Sequence, residues 1–384
     1  MTLGLVVAAA LIVSLQLPFA HERATLRYVH HVGSTGSTAQ VVWPSIGSAA
    51  IDIPALGVTR SWHNTVVPIA SLTKLMTAYV VLKRYPLSLG ATGPCITVSE
   101  SQVLDYEQEK SADESAVIVQ EGEPLCEITL LDGMLVHSAA NYADILETMV
   151  SASPADFVAL MNRTAASLGL RHTHYADDAG ISDQSVSTAL DQAKLAALLM
   201  KSPLVRSIVA QTSVDLPVSG DENSFTPLVG TDNVVGVKSG RTSQAGGCDV
   251  LALAFRQGGR ERLVYAVVLG QRGGDLLGPA GSAALALAQS ALALRQVHDF
   301  TKGVILGYVG FGRHVVPFTY ARTSQLYVWG DSRGPVARWR PRTLTTSIRR
   351  GEVVGWLDVG GVKRPLAVVA LGSVAQPTLW KRIT

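Results

Sequence analysis

One tetrapeptide, Ser71-Leu72-Thr73-Lys74, limits what this chain can fold into more than any other feature. It opens an apolar run that continues to Leu82 and has the composition of a buried helix. Positions i and i+3 share one face of a helix, so the Ser71 hydroxyl and the Lys74 amine can meet there. A serine hydroxyl needs a base before it acts as a nucleophile, and a lysine with a lowered pKa can be that base. The sequence therefore predicts a helix that carries a nucleophile beside its base.

A second motif, Lys238-Ser239-Gly240, follows the apolar run Val234–Val237, which is typical of a strand. Lys238 can be a second cation that lowers the pKa of Lys74. Lys238 and Ser239 together can also bind a substrate carboxylate, one by charge and the other by a hydroxyl hydrogen bond. The motif therefore predicts a substrate-binding strand edge.

Two backbone amides are candidates for binding an oxyanion. One is the amide of Ser71, at a helix N-terminus, and the other is the amide of Arg241, directly after Gly240, which lets a ligand approach the strand closely. Each motif alone has an ordinary structural explanation, as a helix cap or as the end of a strand. Their occurrence together and in this order makes an active-serine acyl transferase the leading hypothesis.

The sequence pattern predicts an α+β domain over residues 25–298 and a small β-rich domain over residues 299–384. We expect an antiparallel sheet flanked by helices, with a helical subdomain over residues 125–204 and a closing helix over residues 279–294. Gln257-Gly258-Gly259-Arg260 indicates a hairpin. The expected strands of the first domain are residues 39–43, 49–53, 233–238, 248–255 and 263–269.

The charge of the chain is divided unevenly. Residues 301–384 carry 13 Lys and Arg but three Asp and Glu, so this segment has a net charge of +10 while the whole chain has +2. Such asymmetry suggests a surface that meets an anionic polymer or a membrane, although a solvated basic face without a partner also explains it. We expect no nucleic-acid partner.

The N-terminal segment from Leu3 to Ala20 is apolar and at the short limit for crossing a bilayer. It has no basic segment before it and no obvious cleavage site. Residues 1–24 are therefore predicted to be an uncleaved anchor or an atypical signal peptide, and a buried helix is the alternative. Either of the first two would export the rest of the chain.

The cysteines Cys95, Cys126 and Cys248 form no Cys-x-x-Cys or Cys/His cluster, so no metal site is predicted. The sequence contains no Gly-rich phosphate loop, and we expect no cofactor. Export permits a disulfide between Cys95 and Cys126 that leaves Cys248 unpaired. Three buried free thiols are the alternative.

Several segments between residues 40 and 270 together resemble the D-alanyl-D-alanine carboxypeptidases, the low-molecular-mass penicillin-binding proteins of serine peptidase type. The basic C-terminal module is also similar to the C-terminal domain of some members. The resemblance lies in a nucleophile segment, the lead into a second box, a central stretch, and a third box with its following strand. These segments are residues 68–78, residues 121–123 with 130–136, residues 168–175 with 180–181, and residues 237–243 with 245–248.

The resemblance implies a β-lactamase/DD-peptidase-like fold and an acyl-enzyme on Ser71. It implies removal of the terminal D-Ala from peptidoglycan stem pentapeptides, with β-lactam antibiotics as acylating inhibitors. The expected location is the extracytoplasmic face of the membrane or the cell wall. There the basic domain could meet an anionic wall polymer or a membrane surface.

The second box departs from the family pattern Ser-x-Asn, because the chain has Ser138-Ala139-Ala140-Asn141. In the ungapped register Ser138 takes the serine position and relays a proton to the leaving amine, while Ala140 replaces the asparagine. A shift by one residue recovers Asn141 but loses the serine to Ala139. We favour the first register, in which Asn141 could swing in to bind substrate. His137, next to the box, either lines the cleft or is structural.

The leading prediction is a serine-type D-Ala-D-Ala carboxypeptidase. The altered second box and the basic module leave an alternative, a weakened or inactive penicillin-binding-protein homologue that binds cell-wall polymer. A third possibility is a β-lactamase or esterase, although no Glu-x-x-Leu-Asn follows the second box. The predicted catalytic residues are Ser71, Lys74 and Ser138, and the predicted substrate-binding residues are Lys238, Ser239, Gly240, Arg241 and Asn141.

Overall fold

A computed structural model describes residues 27–28, 40–311, 313–330, 337–344, 347–359 and 364–375. The chain forms two compact units: the described residues of Ala39–Leu294, and those from Arg295 onward together with the strand Arg27–Tyr28. The division lies at Leu294 rather than at the expected residue 298, because strand Arg295–Phe300 pairs within the second unit. The anchor or signal peptide expected at residues 1–24 lies outside the described residues.

The α-helices are numbered in chain order. They are α1 (Lys74–Arg84), α2 (Glu100–Ser111), α3 (Glu127–Asp132), α4 (Ala140–Val150), α5 (Pro154–Ser167), α6 (Ala189–Leu199), α7 (Pro203–Val209) and α8 (Leu277–Ala293). Short 3-10 turns cover Pro54–Leu56 and Ala70–Thr73, and a π-helical turn covers Gly133–His137.

The strands are likewise numbered in chain order. Strand β1 (Arg27–Tyr28) belongs to the second unit. The first unit contains β2 (Ser48–Ile53), β3 (Val58–Trp62), β4 (Val67–Pro68), β5 (Cys95–Thr97), β6 (Pro124–Cys126), β7 (Val186–Ser187), β8 (Ser213–Leu216), β9 (Gly220–Asn223), β10 (Val234–Thr242), β11 (Gly246–Gln257) and β12 (Arg260–Gln271). The C-terminal segment contains β13 (Arg295–Phe300), β14 (Gly307–Phe311), β15 (His314–Tyr320), β16 (Ser324–Trp329), β17 (Ala337–Pro341), β18 (Val353–Val359) and β19 (Leu366–Ala370).

The first unit is centred on an antiparallel sheet of five strands in the order β10-β11-β12-β2-β3. Helices α6 and α8 pack on it, and near-continuous burial of the inner strand β11 fits a sheet covered by helices. The predicted hairpin joins β11 to β12 through Gly258 and Gly259, whose φ angles of 58° and 75° suit a tight two-residue turn. This sheet presents the edge strand β10 to the nucleophile segment.

The strand expected at residues 39–43 is wrong. Gln40–Trp43 have no regular structure, and the sheet begins at Ser48 instead. The Val42 amide donates to the Ser290 hydroxyl of α8 at 2.9 Å rather than to a neighbouring strand. An apolar run of this kind can therefore lie against a helix without forming a strand.

The helical subdomain is built around α1, whose residues are buried apart from a few near its C-terminus. Helices α4 and α5 pack against α1, and α2 packs against α4. The ends of these helices follow local sequence: Ser153 accepts from the Asp156 amide as the N-cap of α5, and Pro154 takes its first position. The nucleophile helix is therefore the central element of the subdomain.

The structure has the disulfide between Cys95 and Cys126, which joins the paired strands β5 and β6. Cys248 is a buried free thiol. Of the two alternatives left open by the sequence, the single disulfide is therefore the one adopted.

The second unit is an antiparallel β module, as predicted. One sheet has the order β1-β14-β15-β19-β18-β17, and β13 pairs with β16 in another. Phe300, Phe311, Phe318 and Ile348 lie in its core. In the described part of the chain, no helix has both the length and the apolar character needed to cross a membrane.

Candidate active site

Ser71 lies in the 3-10 turn Ala70–Thr73, and Lys74 is the first residue of α1. The Lys74 Nζ atom is 3.1 Å from the Ser71 Oγ atom, within hydrogen-bond distance. Ala70 has a left-handed backbone conformation with φ of 47°, which is unfavourable for a residue with a side chain. The turn is therefore held by its surroundings rather than by local preference.

The loop between α5 and α6 supplies those surroundings. A Cβ atom at Gly180 would lie 1.9 Å from the Ala70 carbonyl oxygen, so this loop contacts the nucleophile turn directly. The Ala179 carbonyl accepts a hydrogen bond of 2.8 Å from the Lys74 Nζ. The loop thus holds the lysine amine beside Ser71.

Lys74 and Lys238 are both buried, at 1% and 0% exposure. Burial lowers the pKa of Lys74, while nearby carboxyl groups, Asp178 foremost, act to raise it. Burial also holds the pKa of Lys238 well below its usual value, and the neighbouring Lys74 charge lowers it further. A lysine that loses its proton readily can take the proton of Ser71.

Strand β10 brings the third motif against the nucleophile. A Cβ atom at Gly240 would lie 2.6 Å from the Ser71 amide nitrogen, so glycine is what allows the strand this close. Ser71 and Arg241 lie on the two segments that meet here, and both line the same cleft. Their amides are the two donors expected for an oxyanion.

Lys238 lies beneath the cleft rather than in its wall. Its Nζ donates to the Ser239 carbonyl at 2.9 Å, and Asp249 and Lys74 are the charges that act on it. The cleft lining includes Ser239 but not the Lys238 side chain. The structure therefore places Lys238 next to Lys74 and away from the expected contact with a substrate carboxylate.

The cleft has a volume of about 270 Å³. It brings together Ser71, Ser138, Ser239, Gly240 and Arg241 from the predicted site. Sequence reasoning missed most of its other walls, which come from loops with no motif spacing. These further residues are Asp113, Glu114, Ser115, Ala116, His137, Phe225 and Leu277.

Ser138 enters the cleft at the end of the π-helical turn. Its φ of 69° is left-handed, and it closes the turn where α4 is about to begin. A Cβ atom at Gly133 would lie 2.5 Å from the Tyr142 ring, so the turn is packed directly on α4. Placing Ser138 beside Ser71 in one cleft fits the ungapped register of the second box.

Asn141 does not reach the cleft. Its Oδ1 accepts a hydrogen bond of 3.0 Å from the Val117 amide, and its Nδ2 donates one of 2.7 Å to the Val117 carbonyl. The side chain is buried, and the backbone of one residue uses both ends of its amide group. The expectation that Asn141 binds substrate is therefore corrected: it is a structural clamp between α4 and the segment before α3.

His137 lines the cleft and is also anchored behind it. Its Nδ1 lies 3.0 Å from the Asn223 carbonyl oxygen and 3.4 Å from a Glu222 carboxyl oxygen. Its ring packs on Phe225 at a centroid distance of 4.4 Å. His137 therefore both lines the cleft and is held in place structurally, so the two alternatives for this residue apply together. Among the described residues, no group of three or more His, Cys, Asp or Glu side chains could hold a metal ion.

The first unit is similar in sequence to known proteins. Residues 58–273 match a family model described as D-alanyl-D-alanine carboxypeptidase. The D-alanyl-D-alanine endopeptidase of Escherichia coli (strain K12) is 28% identical over 255 residues, which cover 63% of this chain and 76% of the relative. The D-alanyl-D-alanine carboxypeptidase of Streptomyces sp. (strain K15) is 28% identical over 207 residues, covering 50% of this chain and 68% of the relative.

The fold is also similar to a solved structure. Penicillin binding protein 5 from Haemophilus influenzae matches with a TM-score of 0.60 over 90% of this chain and 100% of that chain, at 20% identity. Similarity at this level of identity concerns the fold alone. It confirms the predicted sheet-and-helix architecture with a β-rich C-terminal region.

Proposed function

The chain belongs to the D-alanyl-D-alanine carboxypeptidase family, and from that premise we propose how it acts. It is a serine-type D-Ala-D-Ala carboxypeptidase that removes the terminal D-Ala of peptidoglycan stem pentapeptides through an acyl-enzyme on Ser71. The observation that carries this proposal is the 3.1 Å contact between Lys74 Nζ and Ser71 Oγ in a cleft. Nucleophile and base are already paired there.

Acylation begins when Lys74, in its neutral form, takes the proton of the Ser71 hydroxyl. The Ser71 oxygen then attacks the carbonyl carbon of the penultimate D-Ala. Negative charge develops on the carbonyl oxygen, and the amides of Ser71 and Arg241 stabilise it. The close approach of Gly240 to Ser71 supports this step, because it brings the two amide-bearing segments together.

Collapse of the tetrahedral intermediate breaks the peptide C–N bond and leaves an ester on Ser71. Ser138, which shares the cleft with Ser71, passes the proton from Lys74 to the departing D-Ala nitrogen. Water then hydrolyses the ester, with Lys74 again acting as base, and releases the shortened stem. No cofactor is required for either half of the reaction.

The terminal carboxylate of the substrate is bound at the β10 edge of the cleft. The Ser239 hydroxyl and the Arg241 side chain are the groups there that suit a carboxylate. The Ser239 hydroxyl now donates to the Phe225 carbonyl at 2.8 Å and would exchange this bond for one to substrate.

The second box weakens the enzyme without removing its chemistry. Ala140 has no amide to offer the substrate backbone, and Asn141 is engaged elsewhere. Losing one such contact costs about 1–3 kcal/mol. The inactive wall-binding alternative is disfavoured by the paired Ser71 and Lys74, because that pairing serves no purpose in binding alone.

Intact-mass spectrometry after incubation with benzylpenicillin tests this function. We expect one covalent adduct on the wild type and none on Ser71→Ala. Release of D-Ala from a D-Ala-D-Ala stem peptide should likewise be lost in Ser71→Ala. A folded wild type without adduct or D-Ala release would favour the inactive homologue. An adduct that disappears within seconds would favour a β-lactamase.

We further propose that the protein is exported and that its basic C-terminal unit contacts an anionic wall polymer or membrane surface. The net charge of +10 over residues 301–384 supports this idea. Two of the three acids in this segment, Glu352 and Asp358, are already paired with arginines. Co-sedimentation with anionic but not neutral vesicles, and loss of binding at high salt, is the expected result. Equal binding to both vesicle types would contradict it.

A further inference from the structure

The cleft has few groups that could recognise the free carboxylate of a substrate. Of the described residues that line it, Arg241 is the one with a permanent positive charge. Lys238, which the sequence predicted to bind the carboxylate, lies beneath the cleft and donates to the Ser239 carbonyl. A further cation beside the Ser239 hydroxyl would therefore strengthen the preference for a free carboxylate.

Phe225 places His137 beside that hydroxyl. The Phe225 amide donates to the Val136 carbonyl at 3.0 Å, and the Phe225 ring packs on the His137 ring at a centroid distance of 4.4 Å. The Phe225 carbonyl accepts the 2.8 Å hydrogen bond from the Ser239 hydroxyl. One residue thus contacts both the histidine and the hydroxyl expected to bind the carboxylate, and all three line the cleft.

The His137 ring is held at one of its two nitrogens. Its Nδ1 lies 3.0 Å from the Asn223 carbonyl oxygen and 3.4 Å from a Glu222 carboxyl oxygen. Both partners are acceptors, so Nδ1 carries a hydrogen and donates it. In the part of the chain that the structure describes, Nε2 has no hydrogen-bond partner. The side chain is 13% exposed, so Nε2 of the protonated ring is a donor left for a ligand.

We propose that protonated His137 donates from Nε2 to the terminal carboxylate of the substrate and binds it together with Ser239 and Arg241. Such a charged hydrogen bond forms only with a substrate that ends in a free carboxylate. His137 thus makes the enzyme select free D-Ala-D-Ala termini over termini blocked as an amide. This role is separate from proton transfer by Lys74 and Ser138, and it rests on the proposed carboxypeptidase function.

Other charged groups surround the ring and could also change binding with pH. Glu222 on β9 contacts His137 directly. Arg241 on β10 lines the same cleft, as do Asp113 and Glu114, which follow α2. Below the cleft lie Lys74 and Lys238. A pH dependence that belongs to any of these groups would remain in a variant without His137, which separates their effect from that of the histidine.

The test is the ratio of kcat/KM for D-Ala release from a D-Ala-D-Ala stem peptide to that for cleavage of the same peptide with a terminal carboxamide. His137→Gln keeps a polar side chain and removes the positive charge. It should lower the ratio about tenfold at pH 5.5, mainly through a higher KM for the free acid. The wild-type ratio should be about tenfold higher at pH 5.5 than at pH 8.5, because only the protonated ring donates from Nε2. This difference should disappear in His137→Gln.

His172→Gln is the matched control. It makes the same substitution at an exposed histidine in the loop between α5 and α6, and His172 does not line the cleft. The ratio and its change with pH should stay as in the wild type.

An unchanged ratio in folded His137→Gln would overturn the inference. An equal loss of kcat/KM on both peptides would also overturn it, because a ring that only packs on Phe225 affects both substrates alike. If the variant does not fold, a wild-type ratio that is the same at pH 5.5 and pH 8.5 overturns it equally. A wild type that is not acylated by benzylpenicillin and releases D-Ala from neither peptide would instead refute the proposed function, and this inference with it.

Discussion

Replacing Gly240 by alanine tests the assembly of the oxyanion site. The added Cβ would lie 2.6 Å from the Ser71 amide nitrogen, whereas ordinary van der Waals contact begins at 3.4 Å. Strand or turn must then move by about 0.8 Å, since both partners are backbone and no side chain can rotate away. A misplacement near 1 Å in a catalytic site costs about 100-fold in rate, or about 2.7 kcal/mol in activation free energy. We therefore expect benzylpenicillin acylation of Gly240→Ala to be about 100-fold slower.

The assay is the rate of adduct formation by intact-mass spectrometry, with circular dichroism to confirm folding. Gly258→Ala, in the β11–β12 hairpin, is the control. A Cβ there meets nothing within 4 Å, but its φ of 58° makes alanine unfavourable by about 1–2 kcal/mol. It should lose stability and keep its acylation rate. A folded Gly240→Ala that is acylated at the wild-type rate would show that β10 does not help form the oxyanion site.

Three further predictions concern stability. Asn141→Ala should lower the free energy of unfolding by about 2–3 kcal/mol, because two buried hydrogen bonds to the Val117 backbone are lost, yet native protein should still be acylated. Loss of acylation without loss of stability would show instead that Asn141 acts in the active site. Reducing the Cys95–Cys126 disulfide, which closes a separation of 31 residues, should cost about 2–4 kcal/mol in urea unfolding, and an unchanged midpoint would contradict this. Burial raises the pKa of Asp132 to about 6, so its contribution to stability is full below about pH 4 and is lost as pH rises through 6. Asp132→Asn should therefore remove about 2 kcal/mol from the pH dependence of the free energy of unfolding between pH 4 and 8. Parallel curves of unfolding free energy against pH for wild type and variant would refute this prediction.

Local pattern predicted much of the fold and the central part of the site. The apolar run after Ser71 predicted α1, and the Gly258-Gly259 turn predicted the hairpin, because periodicity and turn chemistry are local properties. The pairing of Ser71 with Lys74 follows from their spacing in the same way. The strand predicted at residues 39–43 was wrong, because this run lies against α8 instead of pairing with another strand.

Features that depend on distant contacts could not be predicted. Asp178 stands in a polar stretch that resembles an exposed loop, and contact of that loop with α1 is what buries it. The cleft residues Glu114 and Phe225 belong to no sequence motif. They lie on loops, and the course of those loops to the site cannot be predicted from the neighbouring residues. Tertiary contacts thus decide which polar residues become functional.

The register of the second box shows how such contacts favour one choice where a motif leaves two open. A one-residue shift would require Asn141 to enter the cleft, but that movement would leave the Val117 amide and carbonyl buried without partners. Moving α4 by one residue would also disturb the contact of Gly133 with the Tyr142 ring, which leaves no room for a side chain. The ungapped register needs neither change and keeps Ser138 in the cleft with Ser71. The amide missing from the family pattern is therefore missing from this cleft too, and its absence should weaken binding of the peptide substrate more than acylation by a strained lactam.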